Sequence, residues 1–428
     1  SFSIADTEEV WVMDLIGKGP DNKGIVWVAR RVPDGYICAH ANQARISTFP
    51  LNDPENCMYA PDVITFAREK GYFNGEDKDF SFCDAYAPLD FSGMRACEAR
   101  AWAAFNILCD GKFTFEDENG NIVTKDAYDY IDYAMGYDKT KRFPLFVKPS
   151  RKISVKDVAD VMRDHYEGTP MDMTQDIGAG GNALPYRWRP MGFEHEGKKY
   201  INERAIATQQ TGFWFVGQSR GWLPDTIGGV NWFGCDDAAT SYLTPIYTTT
   251  YDVPECFRVG NGDMITYSPT SAFWVTNRVA NACYKAYDMM APTVREAIDS
   301  WENEMIAAVA KADEEALKMY NEAGKKPRKQ IRRNDKAQKV VDPYASVRNY
   351  LTEFSVGNAQ KIFNKWVDLE VLLLVKYIDG NVKAQNEDGT FVTNEHTDCI
   401  PSGIKQPGYT AKWKEAVAKD HGEVIMEK

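Results

Sequence analysis

The sequence lacks most of the short motifs that mark a metal or nucleotide site. Its 428 residues contain no CxxC pair, no HExxH and no GxxxxGK[ST], which argues against a zinc ribbon, a zincin and a P-loop. The five histidines are widely separated, and no pair has the spacing typical of metal ligands. We therefore expect neither a metal ion nor a cofactor.

Long apolar runs and an excess of positive charge are also missing. Lys and Arg total 50 against 62 for Asp and Glu, so the formal net charge is −12. An acidic chain repels phosphate, so we expect no nucleic-acid partner and interpret the basic stretch at residues 325–333 as a solvated loop. Apolar runs such as residues 371–375 are far shorter than the roughly 20 residues that span a bilayer. The nine widely spaced cysteines argue against a disulfide scaffold.

The first 46 residues have the alternation and turn residues of an antiparallel sheet. Strands are predicted over residues 1–5, 10–16, 25–32 and 36–41, with a tight turn at 33–35. Connections this short require antiparallel neighbours. The last strand ends in the segment HANQARI at residues 40–46, where a sheet would present polar side chains.

Helical periodicity follows in several segments. Ser154 and Asp157 resemble a capping box, opening a helix that we expect to end near Gly168 and to hold His165 in its last turn. Further helices are predicted to begin at Pro292 and at Ser355. Strands first and helices last predict an α+β fold. The predicted divisions are a core over residues 1–290, a surface insertion at about 110–150, a β-like stretch over 176–287 and a mostly helical extension over 291–428.

Seven blocks of sequence together resemble one known family. They are SIAD (3–6), EVWVM (9–13), VPDG (32–35), HANQARI (40–46), YEGTP (166–170), RAIATQQTG (204–212) and WFGCDDAATS (232–241). These blocks resemble the cysteine dipeptidases of the N-terminal-nucleophile hydrolases, the dipeptidase A-like relatives of penicillin V acylase and bile-salt hydrolase. The resemblance implies an αββα sandwich and metal-free hydrolysis of short peptides, chiefly dipeptides.

The resemblance also implies roles for individual residues. Such enzymes attack with the side chain of the first residue of the mature chain, and the free α-amino group, with a pKa of about 8, serves as the base. Asn42 resembles the oxyanion-hole asparagine, and Arg204 resembles the arginine that favours the anionic nucleophile. His40, Gln43 and Arg45 are candidates for contacts with the substrate.

The residues alone leave other interpretations open for these positions. Asn42 could simply turn the chain after a strand. Arg204 could pair with Glu203 or Asp237, and His40 could be a satisfied, partly buried histidine. Asp236 and Asp237 could bind a cation or form a hydrogen-bonded turn.

The chain departs from the family at its start. The nucleophile of the family is a cysteine upstream of these blocks, whereas this chain begins at Ser1 and none of its cysteines aligns with that position. We therefore expect an upstream segment, or a companion chain of the same precursor, to supply the cysteine. The expected assembly is a homo-oligomer, periplasmic or secreted if that upstream part carries a signal peptide and cytoplasmic otherwise.

Three further functions stay open. Ser1 itself could be the nucleophile of an amidase. The chain could be a non-catalytic peptide-binding protein, since 11 Trp, 22 Tyr and 21 Phe would suit a binding surface. It could instead hydrolyse the amide of a non-peptide, such as a bile salt or a β-lactam side chain.

Overall fold

The computed structural model describes residues 1–325 and 342–427, which form two compact units. Unit 1 comprises residues 1–171 and 187–206, and unit 2 comprises 172–186 and the chain from residue 207 onward. Both units combine helices with antiparallel strands, so the predicted α+β class is confirmed. From Lys326 onward, the basic stretch interpreted as a solvated loop lies outside the described residues.

Unit 1 holds ten strands and six helices. The strands are β1 (Phe2–Ala5), β2 (Val10–Gly17), β3 (Ile25–Arg31), β4 (Ile37–Cys38), β5 (Cys57–Tyr59), β6 (Lys112–Glu116), β7 (Ile122–Asp126), β8 (Phe146–Val147), β9 (Gly192–His195) and β10 (Lys198–Ile201). The helices are α1 (Val63–Glu69), α2 (Phe82–Tyr86), α3 (Phe91–Gly93), α4 (Ala99–Leu108), α5 (Ile131–Ala134) and α6 (Val155–Met162), and a π-helical turn, Met94–Glu98, leads directly into α4.

An antiparallel sheet in the order β1-β2-β3-β5 organises the first part of unit 1. Alternate side chains of β2 and β3, namely Val12, Val26 and Val28, are buried in one core with Val63 and Phe66 of α1. The period of two in these strands therefore selects which face of the sheet is buried. The three strands predicted first in the sequence are confirmed to within two residues.

The fourth predicted strand is wrong in extent and in partner. Only β4 forms within residues 36–41, and it pairs with β8 rather than with β3. The edge of β3 is occupied by β5 instead, with Val28 opposite Tyr59. A short connection therefore did not produce neighbouring strands here, because a later segment of the chain took the free edge.

The prediction that residues 110–150 lie at the surface is wrong for three aromatic residues of this segment. Phe113, Tyr133 and Phe143 are fully buried, and the rings of Phe113 and Phe143 pack 5.8 Å and 5.9 Å from Phe105 of α4. These rings form the core beneath α4. The average composition of the segment is polar, and it therefore gave no indication of these buried residues.

Helix α6 begins at the predicted capping box. The Ser154 side chain accepts a hydrogen bond from the Asp157 amide, and the Asp157 side chain accepts one from the Ser154 amide. The predicted end at Gly168 is wrong, because the helix stops at Met162 and Tyr166 adopts a left-handed conformation with φ of 66°. His165 thus lies beyond the helix and contacts Glu167 at 3.0 Å, so the predicted contact with the helix dipole is also wrong.

Unit 2 holds five strands and five helices within the described residues. The strands are β11 (Phe213–Ser219), β12 (Gly229–Cys235), β13 (Thr244–Tyr247), β14 (Thr393–Asn394) and β15 (Thr397–Pro401). The helices are α7 (Asp225–Gly228), α8 (Ala272–Cys283), α9 (Tyr287–Lys325), α10 (Ala345–Lys376) and α11 (Ala411–Ile425). Helix α8 falls in the stretch predicted to be β-like, and Pro292 lies inside α9 rather than at its start.

The antiparallel sheet β11-β12-β13 packs on helices α8 and α10. Trp214 and Trp232 are buried, whereas Phe213 and Phe215 on the alternate positions of β11 are exposed. Ser355 lies inside α10, where its hydroxyl donates to the Leu351 carbonyl at 2.8 Å and accepts from the Tyr247 amide at 3.1 Å. The predicted helix cap at Ser355 is therefore wrong, because this hydroxyl joins a helix to a strand.

Among the described residues, no helix combines the length and the apolar character required to cross a bilayer.

Candidate functional site

The buried carboxylate of Asp14 binds the backbone of the segment HANQARI (40–46). This carboxylate is 1% exposed, and it accepts hydrogen bonds from the backbone amides of Arg45 at 2.8 Å and Ile46 at 2.9 Å. The hydroxyl of Ser1 donates to its other oxygen. Since strand β2 places Asp14 on the same face as Val12, the sheet itself holds the segment in place.

The side chain of Arg45, which belongs to this segment, binds the segment to other parts of unit 1. Its Nε donates to the Glu98 carboxylate at 3.1 Å, and both side chains are almost completely buried. Its remaining donors reach the carbonyls of Ala39, Phe143 and Pro144 at 3.0 to 3.3 Å. The geometry gives Arg45 an internal role in the fold, and its contact with a substrate stays a prediction.

The π-helical turn and the start of α4 supply three charged contacts around this segment. Glu98 pairs with Arg45, Arg95 forms an ion pair with Glu203, and Arg100, the second residue of α4, donates to the Asn42 side chain. π-Helical turns are frequent at functional sites because they shift the phase of the side chains along a helix. Sequence periodicity did not reveal this turn, so neither Arg95 nor Arg100 was predicted to belong to the site.

Asn42 presents an amide N–H group at the surface of unit 1. The residue is exposed and has a left-handed backbone with φ of 57°, which Asn tolerates better than most residues. Its Oδ1 accepts from Arg100 Nη2 at 3.0 Å. Among residues 1–325 and 342–427, no protein atom accepts a hydrogen bond from Asn42 Nδ2, which leaves this donor available to a ligand.

Arg204 forms no ion pair with any residue that the structure describes. Glu203, one of its possible partners, is bound to Arg95, and Asp237 accepts hydrogen bonds from the hydroxyls of Tyr186 and Tyr284 instead. Partial burial, together with the charges of Arg100 and Arg189, lowers the pKa of Arg204. A cation among other cations is a favourable place for an anion to bind.

His40 and Gln43 lie on either side of Asn42 in the chain, and both have protein partners. His40 Nε2 is 3.1 Å from the Ser3 hydroxyl, and burial lowers the pKa of His40, which favours the neutral imidazole at pH 7. Gln43 Nε2 donates to the Ala87 carbonyl at 2.6 Å. Contacts of either residue with a substrate stay predictions.

Seven of the nine cysteine thiols of this chain are poor candidates for the nucleophile. All nine are free, and five of them are buried. Burial raises the pKa of seven thiols, to about 11 for Cys38 and about 12 for four others, Cys109, Cys235, Cys256 and Cys283. The thiolate is the reactive form, and these groups hold their protons at neutral pH.

The pattern GxSxG occurs once, at residues 217–221, without the geometry of a nucleophile elbow. An elbow places its Ser on a sharp turn between a strand and a helix. Here Ser219 lies in β11, paired with Gly229 of β12 in an antiparallel ladder. Ser219 is therefore part of the sheet and does not have the position of a nucleophile.

Asp236 and Asp237 form a buried carboxylate pair in unit 2. Asp237 is bound by two tyrosine hydroxyls, and Asp236 accepts from Asn277 Nδ2 at 3.0 Å while its second oxygen is buried without a partner among the described residues. Among those residues, no cluster of three or more His, Cys, Asp and Glu side chains is arranged to hold a metal ion. The geometry matches the hydrogen-bonded interpretation of this pair.

Asp236 is expected to make unit 2 less stable as the pH rises from about 4 to about 7. Burial, reinforced by the charge of Asp237, raises the pKa of Asp236 to about 7. Across that range the unfolded chain releases the proton while the folded protein keeps it, so the free energy of unfolding falls; above pH 7 both forms are ionised and this contribution is constant. Urea denaturation at pH 5 and pH 8 should show a smaller pH dependence for Asp236→Asn than for the wild type.

Replacement of the exposed Asp398 by Asn serves as the control for this experiment, and it should follow the wild type at both pH values. An Asp236→Asn variant with the same pH dependence as the wild type would show that Asp236 ionises normally in the folded protein.

A known protein family matches the part of the chain that contains the seven sequence blocks. The model of peptidase family C69 matches residues 1–300, and the chain therefore belongs to peptidase family C69. This confirms the resemblance seen in the sequence.

Curated relatives carry dipeptidase names. A "Probable dipeptidase" of Latilactobacillus sakei is 24% identical over 316 residues, which cover 73% of this chain and 56% of the relative. "Dipeptidase A" of Lactobacillus helveticus is 22% identical over 328 residues, 76% of this chain and 57% of the relative. A "Probable dipeptidase" of Salmonella dublin is 25% identical over 248 residues, 58% and 46% of the two chains. The chain thus spans about half the length of the curated relatives it matches.

Proposed function

We propose that this chain is the oxyanion-binding part of a cysteine dipeptidase that acts on short peptides. The observation that carries the proposal is the available Nδ2 donor of Asn42 next to Arg100, whose charge also acts on Arg204. An oxyanion hole needs such a preorganised donor, and nearby cations stabilise the negative charge that develops on the carbonyl oxygen. Membership of family C69 and the dipeptidase names of the relatives support the choice of a peptide bond as the substrate.

The proposed mechanism uses a thiolate from a cysteine outside this chain. The thiolate sulfur attacks the carbonyl carbon of the dipeptide, and Asn42 Nδ2 donates to the resulting oxyanion. The tetrahedral intermediate collapses as the C–N bond breaks and the leaving amine takes a proton from the α-ammonium group of the nucleophile. Water then attacks the acyl-enzyme and releases the second amino acid. The raised pKa values of seven thiols in this chain support an external nucleophile.

The αββα sandwich is part of this proposal. Each of the antiparallel sheets β1-β2-β3-β5 and β11-β12-β13 packs against helices of its own unit, and these layers of sheet on helix support the assignment.

Two measurements on the full-length protein test the proposal. Intact mass spectrometry after denaturation should reveal a polypeptide that begins with Cys, either as part of one chain with this sequence or as a companion chain. A panel of dipeptides, conjugated bile salts and penicillin V should then show release of amino acids from dipeptides and little turnover of the others. Faster turnover of bile salts or penicillin V, or binding of dipeptides without any product over hours, would contradict the dipeptidase assignment.

Ser1 and the oligomeric state are decided by two additional experiments. If Ser1→Ala retains full dipeptide turnover, Ser1 is not the nucleophile. Light scattering on the eluting peak of a size-exclusion column tests the predicted homo-oligomer.

A further inference from the structure

Arg100 makes three hydrogen bonds that fix its position, and one of them reaches the side chain of the candidate oxyanion donor, Asn42. Its Nε donates to the Ala96 carbonyl at 2.7 Å, and its Nη2 donates to the Ala41 carbonyl at 3.3 Å and to Asn42 Oδ1 at 3.0 Å. Among the described residues Arg100 has no carboxylate partner, although Glu98 and Glu203 in the same region are both paired. The Arg100 guanidinium therefore donates its hydrogen bonds to two backbone carbonyls and one side-chain amide.

The chemistry of the guanidinium group determines which way the Asn42 amide faces. Arg has only donors, so the Asn42 atom beside it must be the carbonyl oxygen, and Nδ2 must lie on the opposite side of the amide. A rotation of the amide by 180° would place two sets of donors against each other and lose a charge-assisted hydrogen bond. Since Asn42 is exposed and Arg100 is its hydrogen-bond partner in the described chain, this bond selects the orientation.

We propose that Arg100 is a positioning residue that holds the Asn42 amide with its N–H group directed toward the substrate carbonyl. The inference rests on the proposed function, in which Asn42 Nδ2 donates to the oxyanion. An amide in the reverse orientation would present an oxygen to the developing negative charge and raise the barrier instead of lowering it. Arg100 thus acts on the reaction through Asn42 and has no direct contact with the reacting atoms.

A double-mutant cycle tests this role in the full-length protein. We expect Arg100→Gln to lower kcat about 10- to 100-fold with little change in KM, since it removes an effect exerted in the transition state. In an Asn42→Gly background, the same replacement should lower kcat by no more than about 3-fold, because residues that act as one unit are not additive. Glycine is the chosen replacement because it adopts the backbone angle of Asn42 without strain.

Substrate variation separates positioning from direct binding of the peptide carboxylate. The loss caused by Arg100→Gln should be the same for a dipeptide and for the corresponding dipeptide amide, which lacks the carboxylate. If Arg100 bound the carboxylate, the loss would appear mainly in KM and mainly with the free dipeptide.

An independent readout comes from NMR of protein labelled with ¹⁵N at asparagine. The side-chain amide signals of Asn42, identified by their loss in Asn42→Gly, should shift in Arg100→Gln and remain in place in Arg68→Gln. Arg68 is a suitable control because it lies on α1 of the same unit and pairs with Asp77 at the surface. Arg100→Lys keeps the positive charge but lacks the planar guanidinium group with its fixed donors, so it should give an intermediate kcat. This variant replaces Arg100→Gln in the experiment if Arg100→Gln does not fold.

The outcomes distinguish this inference from the proposed function. If Asn42→Gly lowers kcat while the effect of Arg100→Gln is fully additive, the positioning role is overturned and the oxyanion role stands. If Asn42→Gly leaves kcat unchanged, both are overturned.

Discussion

Replacement of Asn42 by alanine or glycine is expected to lower kcat about 100- to 1,000-fold, the usual loss when one oxyanion donor is removed. KM should change little, because the donor binds charge that exists only in the transition state. Steady-state kinetics of dipeptide hydrolysis by the full-length protein measures both constants.

Two comparisons isolate the amide from other effects of the substitution. Alanine is strained at the backbone angle of Asn42, whereas glycine is not, so equal losses in the two variants exclude a backbone cause. Asn42→Asp keeps the bond to Arg100 and replaces the donor by an anion, and it should be at least as damaging.

The matched control is Asn121→Ala, which changes an exposed asparagine in the turn between β6 and β7 of the same unit. This variant should retain wild-type kinetics. A loss confined to KM in the Asn42 variants would remove the oxyanion role and leave Asn42 as a residue that contacts the substrate in the ground state.

Local patterns predicted the parts of the fold that depend on local physics. The alternation in β2 and β3 and the capping box of α6 were correct because each reflects contacts between residues close in the chain. The partner of β3 was not predictable in this way, because β5 competes for its edge from more than twenty residues away. Ser355 was misread for a related reason, since its partner Tyr247 lies in a distant strand.

The site shows the same division between local and long-range information. The position of Asn42 followed from a family resemblance, and its polar neighbours followed from the end of a predicted strand. The contacts that organise it come from Asp14, from the π-helical turn and from Arg100, all of them distant in the sequence. A helical period of 3.6 cannot indicate a π turn, so the sequence did not show that Glu98 and Arg100 contact this segment.

Glu98→Ala is expected to destabilise unit 1 strongly, at a cost of about 3 to 5 kcal/mol in the free energy of unfolding. The replacement removes the only carboxylate partner of the Arg45 guanidinium among the described residues and leaves a buried charge without compensation. Because Arg45 anchors the segment that carries Asn42, kcat should fall together with stability. Urea denaturation followed by tryptophan fluorescence measures the loss.

Two further variants decide whether the buried charge is the cause. Glu9→Ala breaks the partly exposed pair with Arg31 and should cost about 0 to 1 kcal/mol, the usual range for surface ion pairs. The double replacement Arg45→Met with Glu98→Leu removes both charges at similar volume and should recover much of the stability lost in Glu98→Ala, because no ion remains unpaired. If the double variant is as unstable as Glu98→Ala, then the hydrogen bonds of Arg45 to the carbonyls of Ala39, Phe143 and Pro144, which only the double variant loses, contribute as much stability as removal of the unpaired charge restores. Those bonds would then be the main force that holds the Asn42 segment against the sheet.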